Sequence, residues 1–227
     1  MSLGFDLGYS YDSPSAYGLT EWSSDGYPPQ VKDAGIMQLP LNQPPMVYNY
    51  DRIDYMLERI ARLKQEYINY FSGGQVLWVG YECPFVGLNA DSALMLATLA
   101  GGIREIFRGN PVLAFPPKRI KKWVSGHGEN DKHGVTAGVT ALFQDDQSQA
   151  IFDRIERNYR LMFYKPLTKT GKQSLSRADG TSHVYDAIGV SYTTGLVAFE
   201  HHTSVFLPKK DAERGVLPWW DALKIKP

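Results

Sequence analysis

Residues 3–9 (LGFDLGY) and about 16–23 (AYGLTEWS) read as two strands of a hairpin, joined by a turn rich in Asp, Ser and Pro. A third strand falls within 31–39, and the Pro-rich QLPLNQPP segment then breaks regular structure. From Tyr50 to Phe71, apolar groups recur at Ile53, Leu57, Ile60, Tyr67 and Phe71, the spacing of an amphipathic helix, which Gly73 and Gly74 end. Gln75 to Cys83 (QVLWVGYEC) is a nearly continuous apolar run, which predicts a strand buried on both faces. Asn89 is placed to cap the following helix, ADSALMLATLAGGIREIF. Pro111 to Phe115 gives a fifth strand, and Pro116-Pro117 starts a short basic helix that stops near Gly126. The stretch 132–164 reads as mainly helical, with one helix from about Gln147 to Phe163. A polar loop is expected over 165–181 and a last helix over 182 to about 195.

Three strands in sequence, then strand, helix, strand and helix, predict an α/β fold: a mixed five-stranded sheet flanked by helices, in ribonuclease H-like order. The expected layout is one domain over 1–200, with a helical and loop insertion at about 140–181, and a C-terminal extension over 201–227. A chain of 227 residues, 43% of them hydrophobic, can bury such a core. The single cysteine, Cys83, excludes an internal disulfide framework, and no apolar run is long enough to span a bilayer. The N-terminus MSLGFDLGYS carries no leader, so a cytoplasmic location is expected, or the host cytoplasm if the source is viral.

The formal net charge is zero, whereas domains that grip phosphate backbones are usually basic. Charge is nevertheless concentrated: Lys118, Arg119, Lys121 and Lys122 fall within five residues, and Lys165, Lys169, Lys172 and Arg177 punctuate a Gly/Ser/Thr-rich stretch. Local fields of this kind can hold DNA on a neutral protein. Read alone, KRIKK is more often a solvated helix face. Arg154, Arg157 and Arg160 could track phosphates, but the preferred reading is a surface network with Asp153 and Glu156. The Trp219-Trp220 pair in the tail reads as a packing clamp, and His201-His202 has no further metal-ligand spacing around it.

Four positions carry chemistry. Asp6 lies on the first strand between Gly4 and Gly8, which would let a metal and a phosphate approach the backbone. Glu82 closes an apolar strand, where a carboxylate is costly unless paired, hydrated or bound to a cation. His183 and Asp186, at i and i+3, share a helix face. Two-metal phosphodiester hydrolysis needs such ligands around ions about 3.5 to 4 Å apart, and magnesium prefers oxygen donors. Taken singly, each has a plain alternative: a turn-forming context for Asp6, a solvated strand end for Glu82, a helix cap or surface pair for His183 and Asp186.

The surroundings of these residues resemble one family. FVGLNADSALML (85–96), with Glu82 three residues before it, is similar to RuvC-type Holliday-junction resolvases. So are FPPKRIKKWVSGHGENDK (115–132), the N-terminal GFDLG, with Leu7 where proline is common, and SHVYDAIGVSYTTG, with histidine at the first of two acidic places. The match covers roughly 3–23, 75–135 and 182–195 and describes a divergent member, phage-like in character. The resemblance implies a ribonuclease H-like fold, metal-dependent cleavage of four-way DNA junctions and a homodimer that binds no membrane.

It also implies that Asp6, Glu82, His183 and Asp186 are the catalytic, metal-binding set, holding two Mg2+ ions for which Mn2+ can substitute. Lys121 and Lys132 take the family's two lysine places near the scissile phosphate, where positive charge stabilises the transition state. Phe85 takes the place of an aromatic that stacks on a base at the junction centre, although it could equally be a core residue. Asn89, Lys118, Arg119 and Lys122 complete the expected DNA contacts. A neutral His183 imidazole could bind a metal or move a proton, so activity is expected to fall on mild acidification. The helix at 89–107, with Ala97, Ala100, Gly101 and Gly102, is a candidate dimer surface, unless those residues pack on the sheet. Two other readings stay open: an actin-like or sugar-kinase-like nucleotide-binding protein, suggested by GFDLG, and a catalytically idle protein that binds branched DNA.

Overall fold

The computed structural model describes residues 1–10, 13–22, 28–40, 48–70, 76–84, 90–126, 132–158, 160–164 and 175–203. Strands β1 (Ser2–Tyr9), β2 (Pro14–Glu21) and β3 (Gln30–Met37) form an antiparallel meander, followed by helix α1 (Asn49–Tyr70). Strand β4 (Trp78–Glu82), helix α2 (Ala90–Ile106) and strand β5 (Val112–Phe115) come next. After them run helices α3 (Pro117–Ser125), α4 (Lys132–Leu142) and α5 (Asp146–Asn158), strands β6 (Arg160–Tyr164) and β7 (Leu175–Asp179), and helix α6 (Thr181–Thr203). The sheet order is β3-β2-β1-β4-β5, with β4 parallel to both β1 and β5. This is the mixed ribonuclease H-like sheet expected from the sequence.

Period-2 alternation decides which helices cover which face. Leu3, Phe5, Val79 and Tyr81 point to one side and form a core with Met56, Ile60, Leu99 and Ile103 of α1 and α2. The opposite face carries glycine where the other face carries bulk. Gly18, Gly4 and Gly80 are register partners across β2, β1 and β4, so three adjacent strands present a row without side chains. Helix α6 lies in that trough. A Cβ at Gly4 would stand 2.1 Å from the Ser191 amide nitrogen, and one at Gly18 would stand 2.7 Å from the Ile188 Cα. Around α6, the helices α3, α4 and α5 complete the second core with Ile120, Val135, Phe143 and Ile155. Among the described residues no helix is long and apolar enough to cross a membrane.

Buried hydroxyls fasten α6 to the sheet. Ser191 Oγ donates to the Ser2 carbonyl at 2.7 Å and lies 2.9 Å from Thr20 Oγ1, which is itself 2.7 Å from Ser2 Oγ. Such a network stabilises the contact because every member finds a partner.

Three expectations are corrected here. The helix expected to reach Phe163 stops at Asn158, and the polar loop contains a strand: β6 and β7 pair antiparallel from Arg160↔Asp179 to Tyr164↔Leu175. The apolar run Leu161–Tyr164 looked like more helix, but once the 3.6-residue spacing ends at Ile155 its aromatic character favours a strand. Helix α6 runs to Thr203 instead of about 195. Thr193 and Thr194 return their hydroxyls to the Gly189 and Val190 carbonyls, so they do not interrupt it. Gly195 is no terminator; its missing side chain makes room for the Trp22 indole. Gly73, Gly74, Lys165, Lys169, Lys172, Trp219 and Trp220 lie outside the described residues, as do the side chains of Arg160, Arg177, His201 and His202.

Candidate functional site

Strands β1 and β4 end side by side. Their last register pair is Phe5↔Tyr81, so one step further Asp6 and Glu82 are neighbours, both on the α6 face, as Gly4 and Gly80 are one step before. Helix α6 runs opposite to β1. Ala187 and Ser191 lie over Gly4, and His183, one turn before Ala187, reaches Asp6. His183 Nδ1 is 2.7 Å from Asp6 Oδ2, with the side chains only 14% and 16% exposed. An ionised Asp6 can only accept, so Nδ1 carries the hydrogen.

Glu82 is the electrostatic focus. Burial, first, and the charges of Asp6 and Asp186, second, push its carboxyl up from 4.5 to about 8, with Lys121 pulling in the opposite direction. The five residues Asp6, Glu82, Lys121, His183 and Asp186, scattered from one end of the sequence to the other, therefore share one site. It lies at the carboxyl ends of the parallel strands, where α/β sheets characteristically open their ligand crevices.

The donor set suits a hard divalent ion: three carboxylates and an imidazole, with mutual repulsion that a cation would relieve. Among the described residues no three His, Cys, Asp or Glu side chains close on a single point as they stand. The glycines around Asp6 serve packing more than access. Gly4 is covered by α6, and a Cβ at Gly8 would stand 2.1 Å from the Ser13 carbonyl across the hairpin.

Lys121 comes from α3, which starts immediately after β5. Phe115 at the end of β5 is the register partner of Glu82 and accepts the Cys83 amide at 2.8 Å. Pro116 and Pro117 then turn the chain into α3, and Gly126, at φ 79°, ends it by donating to the Lys122 carbonyl. Lys118 and Arg119 are exposed, and Lys121 and Lys122 are half-buried. The Arg119 guanidinium lies 4.4 Å from the Trp123 ring centroid and 5.7 Å from that of Phe115. Lys132 opens α4, but its side chain lies outside the described residues, as do Phe85 and Asn89 entirely.

Arg154 reaches from α5 to the edge strand β3. It donates to Asp33 Oδ1 at 2.7 Å and to the Ala34 carbonyl at 3.0 Å, tying α5 to the edge strand. Arg157 donates to the Asp153 carbonyl, and Glu156 accepts the Tyr185 hydroxyl at 3.2 Å. In the helix considered as a dimer surface, Ala100 is buried and Gly102 faces Leu57 of α1, whereas Ala97 and Gly101 are exposed beside Leu94. Sequence reasoning overlooked Tyr9 and Trp123. Tyr9 donates to Ser92 Oγ at 3.1 Å and fastens the end of β1 to the first turn of α2. Neither stood out in the sequence: the Tyr9 partner is 83 positions away, and Trp123 reads as an ordinary amphipathic anchor.

A family model described as crossover junction endodeoxyribonuclease RuvC matches residues 41–154. A curated crossover junction endodeoxyribonuclease RuvC from Halorhodospira halophila (strain DSM 244 / SL1) is 29% identical over 144 residues, 63% of this chain and 76% of that protein. Among solved structures, Thermus thermophilus RuvC superposes with a TM-score of 0.57 at 15% identity, covering 88% of this chain and 96% of that one. T. thermophilus RuvC in complex with a Holliday junction substrate gives 0.55 at 14% identity, covering 87% and 93%. These two likenesses concern the fold.

Proposed function

This chain belongs to the crossover junction endodeoxyribonuclease RuvC family, and on that premise we propose that it is a divalent-metal-dependent endodeoxyribonuclease that resolves four-way DNA junctions. The observation that supports the reading is the Asp6–His183 hydrogen bond beside Glu82, whose carboxyl is held up at about 8 by burial and by the charges of Asp6 and Asp186. Carboxyl groups perturbed by burial together with a specific like-charge neighbour are concentrated at functional sites.

In this reading Asp6, Glu82, His183 and Asp186 hold two Mg2+ ions, with Mn2+ able to replace them. When bound, the ions supply an activated water and a stabilised leaving oxygen. The chain's own residues do the rest. The hydrogen bond to Asp6 fixes the His183 ring, Lys121 offsets charge that builds on the phosphate, and Lys132 is assigned the second lysine role. Phe85 is assigned to the junction centre, and Asn89, Lys118, Arg119 and Lys122 to the other DNA contacts. A homodimer would place two such sites to nick opposed strands, with the exposed Leu94, Ala97 and Gly101 face of α2 as its contact. The nuclease domain spans 1–200 with an insertion at about 140–181, and the cytoplasm, or the host cytoplasm for a viral source, is where it would act.

A labelled four-way junction, a flap and a plain duplex, incubated with protein and magnesium, test this. Wild type is expected to cut the junction by paired nicking and leave the duplex whole, and Asp6→Asn to cut nothing. Failure of wild type on every branched substrate, or equal cutting by Asp6→Asn, sinks the proposal. Junction binding without cutting by wild type would identify an idle branched-DNA binder.

A further inference from the structure

Helix α3 carries more cationic surface than one lysine beside Glu82 requires. At roughly 100° per residue, Lys121, Lys118, Lys122 and Arg119 follow one another around an arc of about 160°, with the buried Ile120 and Val124 on the far side. Lys121 borders the acidic site. Arg119 is at the opposite flank, next to Trp123.

The two ends of this arc differ in kind. Arg119 is exposed, and no carboxylate among the described residues pairs with it, yet two aromatic faces hold its guanidinium: Trp123 at 4.4 Å and Phe115 at 5.7 Å. Phe115 is buried and is the strand partner of Glu82, so its ring is fixed by the same backbone pairing that fixes the site. Stacking uses the π-face of a guanidinium and leaves its N–H edge for a phosphate. An arginine held this way has lost much of its rotamer freedom before any ligand arrives, which reduces the cost of binding.

Resting on the nuclease reading above, we propose that Trp123 is a positioning residue: it holds Arg119 outstretched as the far anchor of a DNA arm that leaves the cutting site across α3. Lys121 meets the backbone near the scissile phosphate, Lys118 and Lys122 follow, and Arg119 closes the track. Trp123 touches no DNA in this arrangement and acts only through Arg119.

The test is the salt dependence of affinity for a four-way junction, read over roughly 50 to 300 mM salt in an Asp6→Asn background so that nothing is cut. Arg119→Ala is expected to lower the slope of log affinity against log salt by about 1 and the affinity by about eightfold near 0.1 M salt. Trp123→Leu removes no charge but also removes the π-face, and should lower the slope by a similar amount. Trp123→Phe, which keeps a ring, should leave it near the parental value. Thermal midpoints of the same proteins separate positioning from folding. If Trp123→Leu lowers only the midpoint while the slope stays parental, the stack is structural and the inference falls. An unchanged slope in Arg119→Ala overturns it as well. A wild type that neither binds nor cuts branched DNA overturns both this and the function it rests on, whereas cutting by wild type with unmoved slopes overturns this alone.

Discussion

With its carboxyl held up at about 8, Glu82 keeps a proton at neutral pH in the folded, metal-free chain, whereas an ordinary glutamate releases its proton near 4.5. The folded state therefore binds more protons than the unfolded state between those two values, and this group's contribution to stability falls as pH rises through that window. The metal-free wild type should lose thermal stability from pH 5 to pH 8.5, and Glu82→Gln, which carries no charge to bury, should lack that component and melt above wild type at pH 8.5. Scanning calorimetry in chelator checks the sign; a Glu82→Gln protein less stable than wild type at high pH would refute it. The same proton must leave when a cation enters, so magnesium uptake at pH 7 should release protons in wild type and fewer in Glu82→Gln. Titration calorimetry in buffers of different ionisation heat reads this directly. Glu82 was legible in the sequence because a charge closing an apolar strand demands an explanation. Tyr9 and Trp123 were not, because an aromatic at an element's edge looks the same whether it packs, stacks or positions a neighbour.

Helix α6 sits as close to the sheet as it does because Gly18, Gly4 and Gly80 align across three strands. Gly4→Ala would place a methyl 2.1 Å from the Ser191 nitrogen, a backbone atom that cannot step aside without moving the helix. The expected cost is about 3 kcal/mol or more, at the upper end for overpacking. Because α6 also carries His183 and Asp186, junction cutting should fall further than the folded fraction does. Gly101→Ala is the contrast: within the protomer nothing lies within 4 Å of its Cβ position in mid-α2, so helix propensity should stabilise the protomer fold by about 0.5 to 1 kcal/mol. Chemical denaturation of the two variants separates these outcomes, and a well-tolerated Gly4→Ala would remove the close-packing argument. Periodicity revealed α1 and α2, each with one face toward a core, and apolar runs between turn signals revealed the five main strands, whose sheet is covered on both faces. It missed the β6–β7 pair, which is defined by antiparallel pairing between segments separated in sequence, and it shortened α6, whose buried stretch Val184–Leu196 leaves little polar face to set a period.

At the scale of the whole molecule, mixed sheet and flanking helices followed from element order, but how the two helical layers are locked across the sheet did not. Asp33, on edge strand β3, does much of this. Its Oδ2 accepts the hydroxyls of Tyr17 at 3.1 Å and Tyr67 at 2.9 Å, bringing in β2 and α1 from one face. Its Oδ1 accepts Arg154 of α5 from the other face at 2.7 Å and the Ala34 amide at 2.8 Å. Burial first, and then the neighbouring Tyr17 and Asp33, push the Tyr67 hydroxyl above its ordinary range. The Asp33–Arg154 ion pair is half in water, at 33% and 44% exposure, so it adds little by itself. The larger loss on removing Asp33 is the acceptor that the Tyr17 and Tyr67 hydroxyls share, about 1 to 3 kcal/mol. Asp33→Ala should therefore destabilise the chain by about 2 kcal/mol, a drop in Tm of about 4 to 8 °C for a domain of this size. Asp33→Asn, which keeps an acceptor oxygen, should lose less. Since Asp33 is no part of the acidic cluster, junction cutting well below the melting temperature should survive both changes. Loss of cutting in a fully folded Asp33→Ala protein would mean that the clamp at the sheet edge also sets the geometry at Asp6 and Glu82.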